Sequence, residues 1–260
     1  MLLMEIEIDF TKSAQDNADD YYKKSKKLVA KKEGAEKAVK ELKERLSKAQ
    51  KENVVKEKKG PMKIAPKEWY EKFHWFFTSN DMLVIAGKDA HQNELLNSKY
   101  FEEKDLFFHA NIFGAPVTIL KEGASAGVEA RQEVAQFAAS YSSAWKEGLH
   151  AVDVYAMKRE QVSKSTSKGS LGTGSFLLSG ERDWYRNVRL SLVMYIKDGK
   201  LISVPYVTFE KIRQGIEKHV IIEIGKDKKS DAAKKILKRL EYDNIDSIMQ
   251  MLPTGEFRIN

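Results

Sequence analysis

The chain has no cysteine among its 260 residues. Disulfides, thiolate metal sites and thiol catalysis are therefore excluded. No apolar run approaches the roughly 18 residues that a membrane-spanning helix needs. The opening MLLMEIEIDF carries acids where a secretory signal would carry basic residues. No export signal or membrane partner is expected, and the chain reads as cytoplasmic. The five histidines, His74, His91, His109, His150 and His219, form no i, i+4 or His-x-His pair. Their spacing calls for no metal, and His109, after two phenylalanines, reads as a strand residue buried with one hydrogen bond. The stretch GSLGTGS at 169–175 lacks the lysine and spacing of a phosphate-binding loop and the strand that precedes a dinucleotide fingerprint, so it reads as a flexible loop. Ser142-Ser143 has no nucleophile elbow around it. No cofactor, metal or catalytic group is expected, and the chain reads as a non-enzyme.

Proline is absent from Thr11 to Lys59, and Gly34 is the only glycine there. Ala14, Ala18, Tyr21, Leu28, Ala35, Val39, Leu42, Leu46 and Ala49 fall on an alternating four-three register, interrupted by Ser25 and Lys32. That spacing predicts one long coiled-coil helix, capped by Ser13 or Thr11, with acids early and lysines late to complement the helix dipole. Its seam must leave water, so self-association through residues 14–53, preferably antiparallel, is expected. KKGPMKIAP, with Pro61 and Pro66, then breaks the helix. The expected division is a coiled-coil arm over 1–60 and a globular domain over 61–260.

In the second part, HWFFTS and MLVIAGK read as strands around a tight Asn80-Asp81 turn. Asp89 is placed to cap a short helix from Ala90 to Ser98, with Gln92 reaching back. DLFFHANIFGAPVTILK reads as two strands around a bend at Gly114-Ala115-Pro116. Val128 to Glu147 reads as an amphipathic helix ended by Gly148. AVDVYAMK, SFLLSG, SLVMYI and HVIIEI read as strands, and KSDAAKKILKRL as a helix capped by Ser230. The fold class is α+β: a long N-terminal helix, then a mixed, mostly antiparallel sheet domain with flanking helices.

The net charge is +7 and the isoelectric point is near 9.2, a modest excess that is clustered. Bases crowd 158–189 and 226–239. Within the first cluster, RDWYRNVR interleaves three arginines with Trp184 and Tyr185 in what reads as a loop or strand end. Guanidinium groups fork onto phosphates and exposed aromatics stack on unpaired bases; a core tryptophan beside solvated arginines is the competing reading. The candidate RNA-contacting residues are Arg182, Trp184, Tyr185, Arg186, Arg189, Lys164, Lys168, Lys228 and Lys229. GKDAHQNE at 87–94 is dense in polar groups but reads first as a strand-to-helix corner.

WYEKFHWFFTSNDMLVIAGKDAHQNELLNSKYFEEKDLFFHANIFGAP closely resembles the RNA-binding NFACT-R domain of the ribosome-associated quality control family, which includes NEMF, RqcH and fibronectin-binding-protein-A-like members. VAQFAASYSSAWKEG, VDVYAMKREQVSKS, GSFLLSGERDWYRNV and MLPTGEFRIN look most like archaeal members, and SAQDNADDYYKKSKKL resembles the distal part of the family's coiled-coil region. The resemblance marks Gly87, Lys88, Asp89, Gln92, Asn93, Glu94, His109 and Gly114 as signature residues, which either order the surface or touch RNA. It implies binding to the large ribosomal subunit carrying a stalled peptidyl-tRNA, and contact with tRNA or rRNA. The alternative is a coiled-coil interaction adaptor without direct RNA binding. The family's amino-terminal domain, helix-hairpin-helix domain and first coiled-coil arm have no counterpart in this chain, which therefore resembles a carboxy-terminal piece. Asn111 stands where aspartate is common in the family and Asp81 where glycine is usual.

Overall fold

The structure, a computed structural model, describes residues 7–56, 68–166 and 169–260, with the backbone alone for 45–56, 166 and 170. Two compact units divide the chain, Met1–Pro66 and Lys67–Asn260.

The first unit is built on helix α1 (Ala14–Lys56). Ser13 is its cap: the hydroxyl accepts the Asp16 amide at 3.1 Å and donates to the Asp16 carboxylate at 2.6 Å. This satisfies one of the free N–H groups that every helix start carries. The expected seam is left open to water: Leu28 is 58% and Leu42 64% exposed, and Tyr21 and Val39 are exposed as well. The side chains of Leu46 and Ala49 lie outside the described residues.

The second unit holds two larger antiparallel sheets and two two-stranded ones. Its elements are β1 (His74–Phe77), β2 (Leu83–Ala86), α2 (Ala90–Leu95), β3 (Leu106–Ala110), β4 (Thr118–Leu120), α3 (Val128–Ser140) and β5 (Ala151–Lys158). Short strands β6 (Val162–Ser163), β7 (Ser165–Thr166), β8 (Gly169–Ser170) and β9 (Leu177–Leu178) follow, then β10 (Asp183–Arg189). The chain ends with β11 (Leu192–Lys197), β12 (Lys200–Pro205), α4 (Tyr206–Ile212), β13 (His219–Lys228), α5 (Lys229–Leu240), α6 (Ile245–Met251) and β14 (Glu256–Ile259). The larger sheet runs β1-β2-β4-β3-β5-β10 and the smaller β12-β11-β13-β14; β6 pairs with β9 and β7 with β8.

Period-two alternation gives the larger sheet two apolar faces. Phe76, Val84, Phe108, Leu120, Val154 and Ala156 point to α3 and join a core shared with the smaller sheet. Ile85, Phe107, Ile119, Tyr155 and Met157 point the other way, beneath Phe73, Leu96, Phe101 and Val162. Burying each such side chain contributes about 1.5–3 kcal/mol against exposing it.

Several boundaries differ from the sequence expectation. Helix α3 stops at Ser140, because Ser142 bonds back to the Ala139 carbonyl at 2.7 Å and then caps a short 3-10 turn, Ser143–Trp145. Serine hydroxyls compete in this way with the helical ladder. Helix α2 ends at Leu95 and continues as a π turn over Leu96–Tyr100. Ser230 caps nothing, since the pairing of Lys228 with Glu256 keeps the strand going until α5 begins at Lys229. Of SFLLSG, only Leu177–Leu178 pairs, and RDWYRNVR is a strand rather than a loop. In the β1–β2 turn, Asp81 adopts φ +58°, a left-handed conformation. Glycine adopts that conformation without steric cost, whereas an aspartate there is strained.

Candidate nucleic-acid interface

GKDAHQNE makes its hydrogen bonds within the domain. Asp89 accepts the Gln92 amide at 2.8 Å and so caps α2, while the Gln92 side-chain carbonyl accepts the Lys88 amide at 3.1 Å. The Asn93 side chain accepts the Val117 amide at 3.1 Å, holding the β3–β4 connection. Gly87 permits this: a Cβ there would stand 2.1 Å from the Asn93 side-chain oxygen. Gly114, at φ +80°, turns the loop whose Phe113 carbonyl accepts the Ser143 hydroxyl at 2.5 Å. The corner orders its surroundings through the side chains of Asp89, Gln92, Asn93 and Glu94.

Glu94 extends that order to the glycine-rich stretch. Its carboxylate receives the Lys164 ammonium and, at 3.1 Å, the Gly174 amide. Lys164 also donates to the Gly172 carbonyl at 2.8 Å and lies over the Phe176 ring. The Lys164 ammonium and the Gly174 amide hold the Glu94 carboxyl below its ordinary range. Lys164 is thus engaged inside the domain. Replacing Glu94 with alanine should raise the rate of limited proteolysis within 169–175 several-fold and leave RNA affinity unchanged. Unaltered cleavage would show that the loop is held by other interactions.

The arginine-aromatic segment builds the open end of the second face. Strand β10 is the outermost strand beside β5, and His109, Tyr155 and Trp184 are direct cross-strand partners on β3, β5 and β10. The three rings form one row on one face. The Tyr155 and Trp184 rings meet edge-on at 5.4 Å, and the Tyr155 hydroxyl lies 3.3 Å from His109 Nδ1. Burial pushes the His109 imidazole below its usual pKa. Trp184 remains 37% exposed.

A β-bulge decides which arginines join this row. The register shifts between Tyr185 and Val188, with Asn187 at φ +52°. Asp153 fastens the bulge, accepting the Asn187 amide at 2.8 Å and Arg186 at 2.6 Å; these two partners keep its carboxyl below the ordinary range. The extra residue returns Val188 to the α3 side and sets Arg189 opposite Ala151, on the same face as Tyr155. Arg182 lies over the Tyr155 ring at 4.6 Å and Arg186 over the Trp184 ring at 4.0 Å. Arg182, Trp184, Arg186 and Arg189 therefore share one surface.

Other candidates are placed elsewhere. Tyr185 points to the α3 side, 5.7 Å from Phe108. Lys229 donates to the Leu252 carbonyl at 2.7 Å, and burial lowers its pKa. Lys228 is exposed at the end of β13, in the smaller sheet. Lys168 lies outside the described residues. Two residues that the sequence reading left out belong to the site. Tyr155 and Asp153 sit on β5, and their alternation along a strand was the available signal. The Asn111 amide donates to the Asp153 carbonyl at 2.7 Å, tying the loop after β3 to β5. Among the described residues, no group of three or more His, Asp or Glu side chains is placed to hold a metal, and no helix is long and apolar enough to cross a membrane.

Residues 72–180 match the family described as NFACT protein RNA binding domain. The match includes His109 and Tyr155 and stops just before β10. An archaeal Rqc2 homolog, aRqcH, from Methanocaldococcus jannaschii is 38% identical over 83% of this chain and 31% of its own length. Human ribosome quality control complex subunit NEMF is 32% identical over 65% of this chain and 16% of its own. The chain thus spans under a third of these relatives. The C-terminal part of the fibronectin/fibrinogen-binding protein of Streptococcus suis aligns over 68% of this chain and 76% of that one, at 18% identity and a TM-score of 0.40. Residues 72–180 are thus an NFACT RNA-binding domain, and over most of its length the chain is similar to ribosome quality control proteins, an archaeal one among them.

Proposed function

We propose that this chain binds RNA through the β10 face, as part of a non-enzymatic cytoplasmic protein that engages the large ribosomal subunit carrying a stalled peptidyl-tRNA and contacts tRNA or rRNA. The observation that carries the reading is the shared surface of Arg182, Trp184, Arg186 and Arg189, the first three brought to one face by strand alternation and Arg189 by the bulge. Cationic forks beside aromatic rings are the chemistry that nucleic acids reward. The domain match and the relatives' names support the ribosomal setting. Binding of the full chain to tRNA and to purified large subunits, followed over a salt series, tests it. Affinity should fall steeply and log-linearly with salt. Binding that ignores salt would point instead to apolar docking.

That second reading, a coiled-coil adaptor, is favoured by the open stripe of α1, with Leu28, Val39 and Leu42 all exposed. On this stripe we expect modest, concentration-dependent self-association, because burying each leucine contributes about 1.5–3 kcal/mol while ordering costs oppose it. Replacing Leu28 and Leu42 with glutamate should yield monomers in sedimentation equilibrium. A chain that is monomeric without these changes at tens of micromolar, about the range of weak pairing, rules the pairing out.

A further inference from the structure

A ring that receives a base needs a free face, and on this surface both Tyr155 and Trp184 already have a guanidinium over the ring. Arg182 lies 4.6 Å over Tyr155 and 5.8 Å over Trp184; Arg186 lies 4.0 Å over Trp184. Both guanidinium groups are therefore gathered on the same indole. A guanidinium laid flat on an aromatic ring is held by the quadrupole and loses little further freedom when it binds. Its N–H donors lie in its own plane and point sideways, where a phosphate can accept two of them at once. The rings thus act as beds that hold the cations in place.

Resting on the RNA-binding reading above, we propose that this face grips the sugar–phosphate backbone of RNA through Arg182 and Arg186, laid on Tyr155 and Trp184, and does not stack bases on those rings. Asp153 has a defined part in this. Its carboxylate occupies one edge of Arg186 at 2.6 Å, where an incoming phosphate would otherwise bind. The same carboxylate accepts the Asn187 amide through its other oxygen, so the bulge depends on an acceptor at that position, whether charged or not. Removing the charge while keeping the acceptor releases Arg186 to phosphate without dissolving the bulge.

The full 260-residue chain is titrated with a labelled RNA oligonucleotide and with an oligonucleotide of equal length whose nucleotides are all abasic, by fluorescence anisotropy. The two should bind within about threefold of each other, because both present the same charge. If the rings stack bases, the abasic probe loses about 5- to 150-fold per stacked base, and the inference is overturned. Trp184→Leu should weaken both probes equally as the bed under Arg186 is lost; weakening confined to the base-bearing probe overturns the inference too. Asp153→Asn should tighten both probes and steepen their salt dependence, and unchanged or weaker binding by this variant, with its thermal melt intact, refutes the part given to Asp153. Failure of the unaltered chain to bind the base-bearing RNA at low salt would reject the underlying RNA-binding reading itself.

Discussion

Replacing Arg182, Arg186 and Arg189 together with alanine is expected to lower RNA affinity by on the order of 100-fold at low salt. The log–log salt slope should flatten by about 0.7 for each single-strand phosphate that the variant no longer neutralises. The effect is large because the three cations share one surface, so one backbone can meet all of them. Stability should change little: these side chains are exposed, and surface ion pairs such as that of Arg186 with Asp153 contribute at most about 1 kcal/mol. A matched change at Lys228, on the smaller sheet, should reduce affinity far less. If the triple variant keeps both affinity and slope while its melting curve matches the parent's, the β10 face is not where RNA binds.

The second large effect concerns stability. The Glu133 side chain is fully buried on α3 and its carboxylate is satisfied from three directions. It accepts the Ser79 amide at 2.8 Å and the Ser79 hydroxyl at 2.6 Å from the β1–β2 turn. Thr208 on α4 donates at 3.1 Å and Lys211 at 2.9 Å. One carboxylate thus ties together a hairpin turn and two helices. Glu133→Ala leaves the part-buried Ser79 amide and both hydroxyls without this acceptor and Lys211 without its closest counter-charge. Leaving such donors without an acceptor costs about 1–3 kcal/mol for each that stays out of water, a large share of the stability of a single domain. Glu133→Gln keeps an acceptor of similar shape and should cost less than Glu133→Ala. Urea unfolding checks both, and a midpoint for Glu133→Ala equal to the parent's would show that the network contributes nothing net.

Much of the fold can be read from local signals in the chain. The long proline-free register predicts α1, Ser13 or Thr11 its cap, and Asp89 the start of α2; the structure has α1 and Asp89 as expected and chooses Ser13. What escaped local reading depends on partners remote in sequence. Glu94 and Lys164 are 70 positions apart, so no window shows that they neutralise each other. Lys229 likewise counts as a free base until the Leu252 carbonyl is placed beside it. RDWYRNVR lost its strand signature for a different reason: the bulge at Arg186-Asn187 inserts one residue and breaks the period of two on which strand recognition rests. The face of each arginine therefore becomes visible only with the register in hand. Strand β12, whose KLISVP reads weakly and ends at Pro205, and β14, in the chain's last residues, were not anticipated at all.

The position of β10 at the margin of its sheet has another consequence, for how copies of the protein meet one another. An outermost strand leaves a row of backbone N–H and C=O groups without partners, a template onto which a second molecule can add its own strand and begin to aggregate. β10 carries two of the usual defences: charged side chains at Asp183, Arg186 and Arg189, with Arg182 just before it, and a bulge that breaks the straight run of ladder positions. The cations proposed to hold a polyanion thereby also keep like-charged copies apart. A surface that must stay open to a long, flexible ligand cannot be closed off by another strand, and repulsion together with the break in the ladder keeps this one both accessible and unpaired.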